Sequence, residues 1–274
     1  MKRVLIISHN AMSSRANNGK TLASLFRSWS PSHVRQLFFN PETPDTPAAA
    51  SFFRLTDHEI AKRVLCCMRR ENAGETVAPT SSAVSSGTSV QARFFQRHPS
   101  MKVFVRDLLF STKAWRSKNL LAWIDEFEPE RIFLLGGDTC FPFRIAARIA
   151  ADRNIPLDVY LTDDYLLNAV PKSLLSKFNL RRLRNTYQEV FERTRHLFVI
   201  GTAMADAYRE QFGRDFIPIM HAPVMPDSMS LRTSSGGLEA VYIGGLHLGR
   251  ANALMSLARL IAPAVRDAGA SLTI

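Results

Sequence analysis

Arg3-Val-Leu-Ile-Ile-Ser-His-Asn-Ala-Met-Ser-Ser-Arg-Ala-Asn-Asn-Gly-Lys-Thr21 is the stretch that decides the fold. Val4 to Ile7 is an unbroken apolar run, as expected of a strand buried on both faces of a parallel sheet. A polar loop follows, ending at Gly19, and Leu22, Leu25, Phe26 and Trp29 then recur at helical spacing. Strand, polar loop and helix in that order bring backbone N–H groups and the positive end of a helix dipole to one edge, which suits an anion. A phosphate-bearing ligand is the first expectation.

The pattern repeats outward. Val34 to Phe39 reads as a second strand, giving a βαβ unit and hence a parallel sheet. Leu55 to Arg70 reads as a helix capped by Thr56-Asp57, and residues 71–91, rich in Ser, Thr, Ala and Gly, as a flexible insertion. Val103 to Phe127 has helical periodicity up to Pro129. Ile132 to Leu135, Leu157 to Leu161 and Leu197 to Ile200 are short apolar strands, separated by helices over Phe143 to Ala151 and Pro171 to Arg195. Another helix follows over Met204 to Phe212. Residues 222–237, rich in Pro, Ser and Gly, read as a linker. Ala240 to Ile243 then opens a second strand–glycine–helix segment, and Ser271 begins a further strand. The expected organisation is a Rossmann-like domain over 1–221, with helices on both faces of its sheet, and the first βα unit of a second, truncated Rossmann-like domain over 238–274.

Composition narrows the function classes. Lys and Arg total 35 against 24 Asp and Glu, a net charge of +11 and a pI near 10.1, which favours an anionic partner. Three cysteines, two of them adjacent, form neither a disulfide framework nor a zinc motif. Residues 1–30 hold no signal-type hydrophobic region and no apolar run is long enough to span a bilayer, so a cytoplasmic setting is expected, with the basic stretch 171–195 able to lie on an anionic membrane face. No aromatic–basic platform for nucleic acid occurs, and no cofactor is expected.

Two nucleotide motifs are approached and missed. Asn18-Gly19-Lys20-Thr21 matches the end of a P-loop, but its first glycine would fall on Ser14, leaving a P-loop-like nucleotide-binding protein as a distant alternative. No Gly-x-Gly-x-x-Gly opens a helix after any strand. Acidic residues stand where strands end: Asp138 after Gly136-Gly137, and Asp163-Asp164 after Leu157 to Leu161. Ligands sit at that edge of an open parallel sheet. One of the adjacent pair could act as a general base if burial raised its pKa, or could cap a helix; the pair alone is poor at holding a metal. His9 faces the same edge as a candidate acceptor contact or base.

In order and spacing, Asn18-Gly19-Lys20-Thr21-Leu22, Asp163-Asp164-Tyr165, Val199 to Met204 with Tyr208 and Phe212-Gly213, and Tyr242-Ile243-Gly244-Gly245-Leu246 make the chain resemble GT-B glycosyltransferases of family 4. The resemblance implies a nucleotide-sugar donor held mainly by the second domain and a saccharide or lipid-linked acceptor held by the first. It implies that Gly19, with the positions of Gly245 and Arg250, lies at the donor diphosphate, where Lys20 is a further candidate; of the strand-end residues, Asp163 and Asp164 are the catalytic candidates and His9 and Asp138 the candidate acceptor contacts. Two departures stand out: Gly245 replaces a family arginine, and Asp163 replaces a family histidine. The implied activity is sugar transfer to a hydroxyl in polysaccharide or glycoconjugate assembly, with the chain as given expected to be too short to turn over. The alternative is a non-catalytic Rossmann-like binding or scaffold module.

Overall fold

The computed structural model describes residues 1–15, 17–66, 72–80, 98–220, 239–242, 250–267 and 271–273. The chain divides into two compact units, Met1–Pro223 and Val224–Ile274. The expected linker at 222–237 lies outside the described residues.

The first unit is one eight-stranded sheet. Its strands are β1 (Val4–Ser8), β2 (Val34–Phe38), β3 (Ser51–Arg54), β4 (Glu75–Val77), β5 (Arg131–Leu135), β6 (Leu157–Leu161), β7 (His196–Val199) and β8 (Phe216–Pro218), in the spatial order β4-β3-β2-β1-β5-β6-β7-β8. Every neighbouring pair is parallel except β3 with β4, which is antiparallel. β1 is central: Val4 pairs with Val34 on one side and with Arg131 on the other.

Alternation along β1 sends its side chains into two layers. Val4 and Ile6 join Leu22 and Phe26 of α1 (Asn17–Leu25 and the turn that follows it), with Phe38, Phe133 and Tyr160. Leu5 and Ile7 join the opposite core, built with α2 (Asp57–Leu65), α3 (Pro99–Ser111), α4 (Lys118–Phe127), α5 (Phe141–Arg153), α6 (Leu174–Phe191) and α7 (Thr202–Phe212). Helices therefore cover both faces, and the Rossmann-like α/β class read from the sequence holds. In the second unit β9 (Glu239–Val241) and β10 (Ser271–Thr273) pair in parallel across α8 (Arg250–Asp267), a βαβ arrangement.

Four local readings change. The helix expected over Val103 to Phe127 is two helices separated by a 3₁₀ turn at Lys113–Trp115. The hydroxyls of Ser111 and Thr112 donate to the carbonyls of Leu108 and Leu109, and Thr112 then accepts from the N–H of Ala114, a side-chain competition that ends one helix before Lys118 starts the next. Within 71–91, Glu75–Val77 is an edge strand, tied to β3 by the Arg54–Glu75 ion pair; residues 71 and 81–91 lie outside the described residues. Ser51–Arg54 and Phe216–Pro218, short segments without a readable period, are strands because they complete the ladder beside β2 and β7. The basic stretch forms α6, which buries Leu183, Tyr187, Val190 and Phe191 and leaves Leu174 and Phe178 exposed. Among the described residues no helix is long and apolar enough to cross a membrane.

Candidate functional site

The strand order reverses at β1. From β1 the chain crosses to β2 on one side, whereas β5 lies on the other and leads away through β6 to β8. The carboxyl ends of β1 and β5 thus diverge, and in open α/β sheets such a reversal leaves a crevice. A cleft of about 240 Å³ lies there, lined by His9 and Asn10 after β1, Leu135 to Asp138 after β5, Asn18 of α1, Asn40, Lys102 and Arg106 of α3, and Tyr165.

Its floor is set by the two glycines. A Cβ on Gly137 would stand 3.1 Å from Cδ2 of His9 and 3.4 Å from its Nε2, so the missing side chain makes room for the imidazole. A Cβ on Gly136 would press into Leu161 and Phe143. Tyr187 donates its phenolic O–H to the Gly137 carbonyl at 3.0 Å, which fixes the turn that presents Asp138. Asp138 is exposed, and it is the one carboxylate among the residues lining the cleft.

His9 packs edge-on against Phe39 and Phe141, with Thr139 Oγ1 2.8 Å from its Nε2. Its Nδ1 is buried without a hydrogen-bond partner. Burial, and then the charges of Arg106 and Lys102, lower its pKa to about 3. The ring is neutral near pH 7, which suits an uncharged contact better than a base.

The loop after β1 departs from the phosphate cradle expected of it. Buried Gln36 donates from Nε2 to Ser8 Oγ at 2.8 Å and to the Asn10 carbonyl at 3.0 Å, and accepts the N–H of Met12 at 2.8 Å. The N–H of Ala11 goes to Glu42 at 3.0 Å and that of Ser14 to Asp45 at 2.5 Å. The N–H groups of Ala11, Met12 and Ser14 are thus engaged by the protein's own acceptors, two of them anionic, and are not free to wrap a phosphate. Gly19 also has an internal explanation: a Cβ there would overlap the Ala11 carbonyl oxygen and crowd Ser13. Lys20 is exposed on α1.

The adjacent carboxylates separate into different roles. Asp164 accepts from the N–H groups of Leu166, Leu167 and Asn168, from the Asn168 amide and from the Tyr208 hydroxyl at 2.9 Å. Burial alone would raise its pKa, but these donors hold it below the ordinary value. Asp164 is therefore the acceptor that anchors the turn over Leu166 to Asn168, the capping alternative weighed for this pair. Asp163 is exposed and is not among the residues lining the cleft, although its charge adds to the burial that pushes Tyr165 up to about 12. Arg250 is exposed at the start of α8 in the second unit, and Gly245 lies outside the described residues.

Thr139, Tyr165, Lys102 and Arg106, like Asn10, Asn18 and Asn40, were given no site role by the sequence. Thr139 and Tyr165 follow strand ends and were within reach of a rule that inspects every such position. Lys102 and Arg106, four apart on α3, carry a helical-face signal, but nothing local says that this face borders the end of β1. Arg106 is held by Asp57, Nε to Oδ1 at 2.9 Å, and lies 5.2 Å over the Phe141 ring. Beside it, Asp107 is buried and accepts the N–H groups of Cys140 and Phe141 at 2.9 and 3.0 Å, with Arg182 at 3.7 Å. Burial raises the Asp107 pKa against these stabilising contacts.

A mostly parallel sheet whose strand order reverses at β1, with a polar cleft at the reversal, defines a Rossmann-like α/β unit. No family model matches the chain, and no curated protein matches it. Among solved structures it is similar to the glycotransferase of kitacinnamycin, at 11% identity and a TM-score of 0.40, over 99% of this chain and 65% of that one.

Proposed function

We propose that the first unit is the acceptor-binding part of a GT-B-type glycosyltransferase, and that 238–274 begins its donor-binding part. The observation that carries this is the cleft at the β1/β5 reversal, which offers Asp138, a neutral imidazole and the amides of Asn10, Asn18 and Asn40 in one polar space. That set suits hydroxyl groups, which need both donors and acceptors. At about 240 Å³ the space lies below the range of about 300–1,000 Å³ common for drug-sized ligands, and fits a small polar moiety.

In this reading an acceptor hydroxyl donates to Asp138. Its oxygen forms a bond to the anomeric carbon of the donor sugar, the bond from that carbon to the diphosphate oxygen breaks, and the nucleotide leaves with the electron pair while the hydroxyl proton passes to the carboxylate. His9 orients the acceptor without competing for the proton. Arg250 of the second unit is proposed to meet the diphosphate, and Asp163 is a second candidate base. The acceptor is a saccharide, free or lipid-linked.

A second reading has one observation in its favour. The β1 loop amides are closed by Glu42 and Asp45, as suits a binding module that holds no phosphate there. Calorimetric titration with a panel of mono- and disaccharides separates the readings from a unit without a sugar site. The expected result is binding by at least one saccharide, weakened about tenfold by Asp138→Asn, the scale of one charge-assisted hydrogen bond. Absence of saccharide binding, or binding indifferent to Asp138, overturns the proposal.

A further inference from the structure

The cleft is not only polar. Two cationic side chains of α3, Lys102 and Arg106, line it one helical turn apart, facing a single carboxylate, Asp138. Lys102 is exposed and forms no ion pair among the described residues. Arg106 is fixed by its Nε bond to Asp57 and by the Phe141 ring, so the ion pair leaves its two terminal nitrogens as further donors. At the floor, His9 Nδ1 is buried without a partner.

Asp107 decides how an anion could be read in this place. The N-terminus of α5 opens directly beside the cleft, where a helix end would ordinarily attract negative charge. The Asp107 carboxylate already occupies the N–H groups of Cys140 and Phe141. An incoming anion is left to the side chains of the neighbouring turn. Guanidinium and ammonium groups on one helix face recognise phosphate or carboxylate oxygens by charge-assisted hydrogen bonds.

We infer that the ligand of this cleft bears an anionic group, a phosphate or carboxylate on a saccharide, and that Lys102 and Arg106 bind it. The saccharide part rests on the acceptor reading above; the anionic part rests on the cationic pair. A second pocket shares Asp138 and Tyr165 with the cleft and runs between α3 and α6 past Val103, Leu180 and Leu183. It gives the rest of such a ligand a partly apolar path away from the charged end.

The test is calorimetric titration of the chain with glucose, glucose 6-phosphate, glucuronate, inorganic phosphate and UDP-glucose, repeated with Lys102→Gln and Lys102→Glu. Lys102 is exposed, so both variants are expected to keep the wild-type unfolding midpoint, and circular dichroism melting checks this. The expected result is that an anionic sugar binds at least about tenfold more tightly than glucose, and that Lys102→Glu removes the difference. The preferred anionic sugar tells phosphate from carboxylate. Equal affinity for charged and neutral sugars, with both lost on Asp138→Asn, overturns this inference and leaves the acceptor reading intact. Lys102-dependent binding of inorganic phosphate without any saccharide binding supports the anion site and overturns the acceptor reading. Lys102-dependent binding of UDP-glucose alone assigns the pair to a donor and overturns the inference.

Discussion

Asp107 Oδ1 accepts the backbone N–H of Phe141 at 3.0 Å, so a carboxylate from α3 closes the first turn of α5 and locks together two helices that border the cleft. Asp107→Ala would leave two buried N–H groups without an acceptor and Arg182 without its acidic partner. The expected cost is about 3 kcal/mol in urea unfolding. Asp107→Asn keeps an oxygen at the same place and is expected to cost less, about 1–2 kcal/mol. A cost below about 1 kcal/mol for the alanine variant would show that the helix end is satisfied in another way.

His9 makes stability depend on acidity. Its folded pKa, about 3, lies below the ordinary value of 6.5, so on acidification the unfolded chain takes up this proton first. The associated stability is complete above about pH 6.5 and is lost as pH falls toward 3, reaching up to about 3 kcal/mol by pH 4. His9→Gln, which cannot titrate, should flatten that limb when urea midpoints are compared at pH 4.5 and 7. An unchanged slope would mean that other groups carry it.

Asp138 and Asp163 compete for one role. If Asp138 takes the acceptor proton, Asp138→Asn lowers the transfer rate by about 10² or more, the contribution typical of general-base catalysis. Asp163→Asn then stays within about threefold. Run on a chain that carries a complete donor-binding part, a nucleotide-release assay with a sugar nucleotide and a saccharide acceptor reads both, and the reverse order of effects would hand the role to Asp163.

Gly19 is constrained by its own loop. A Cβ there meets the Ala11 carbonyl, a backbone atom that cannot rotate aside, and Gly19→Ala is expected to cost about 2 kcal/mol in urea unfolding. Gly201 has no heavy atom within 4 Å of a built Cβ, and at this helix N-cap Gly201→Ala should cost less than about 1 kcal/mol. Equal costs at the two positions would show that crowding against Ala11 is relieved by loop movement.

The class of fold was legible because buried parallel strands leave continuous apolar runs: Val4 to Ile7, Ile132 to Leu135 and Leu157 to Leu161 all read correctly. Ser51–Arg54, Glu75–Val77 and Phe216–Pro218 were not legible, since three or four residues carry no usable period and become strands only by pairing with a neighbour already in place. The edge that holds the cleft could be named from strand ends, which brought His9 and Asp138 forward. Roles could not. Whether Asp164 is a free carboxylate or a turn anchor depends on how the chain turns over Leu166 to Asn168, with Tyr208, 44 positions away, adding one more donor, and whether the β1 loop receives an anion depends on Glu42 and Asp45 beyond β2. Lys102 and Arg106 were hidden for the same reason: their meaning comes from the packing of α3, not from their spacing.

The β1 loop, finally, behaves as a receptor with its ligands tethered. Glu42 and Asp45 compete with any dissolved anion for the amides of Ala11 and Ser14 as intramolecular partners, at an effective concentration of millimolar or above. Inorganic phosphate well below that concentration would leave the loop as it is. Neutralising both tethers at once, with Glu42→Gln and Asp45→Asn, would weaken that internal competition and let the loop's latent affinity for phosphate be measured directly.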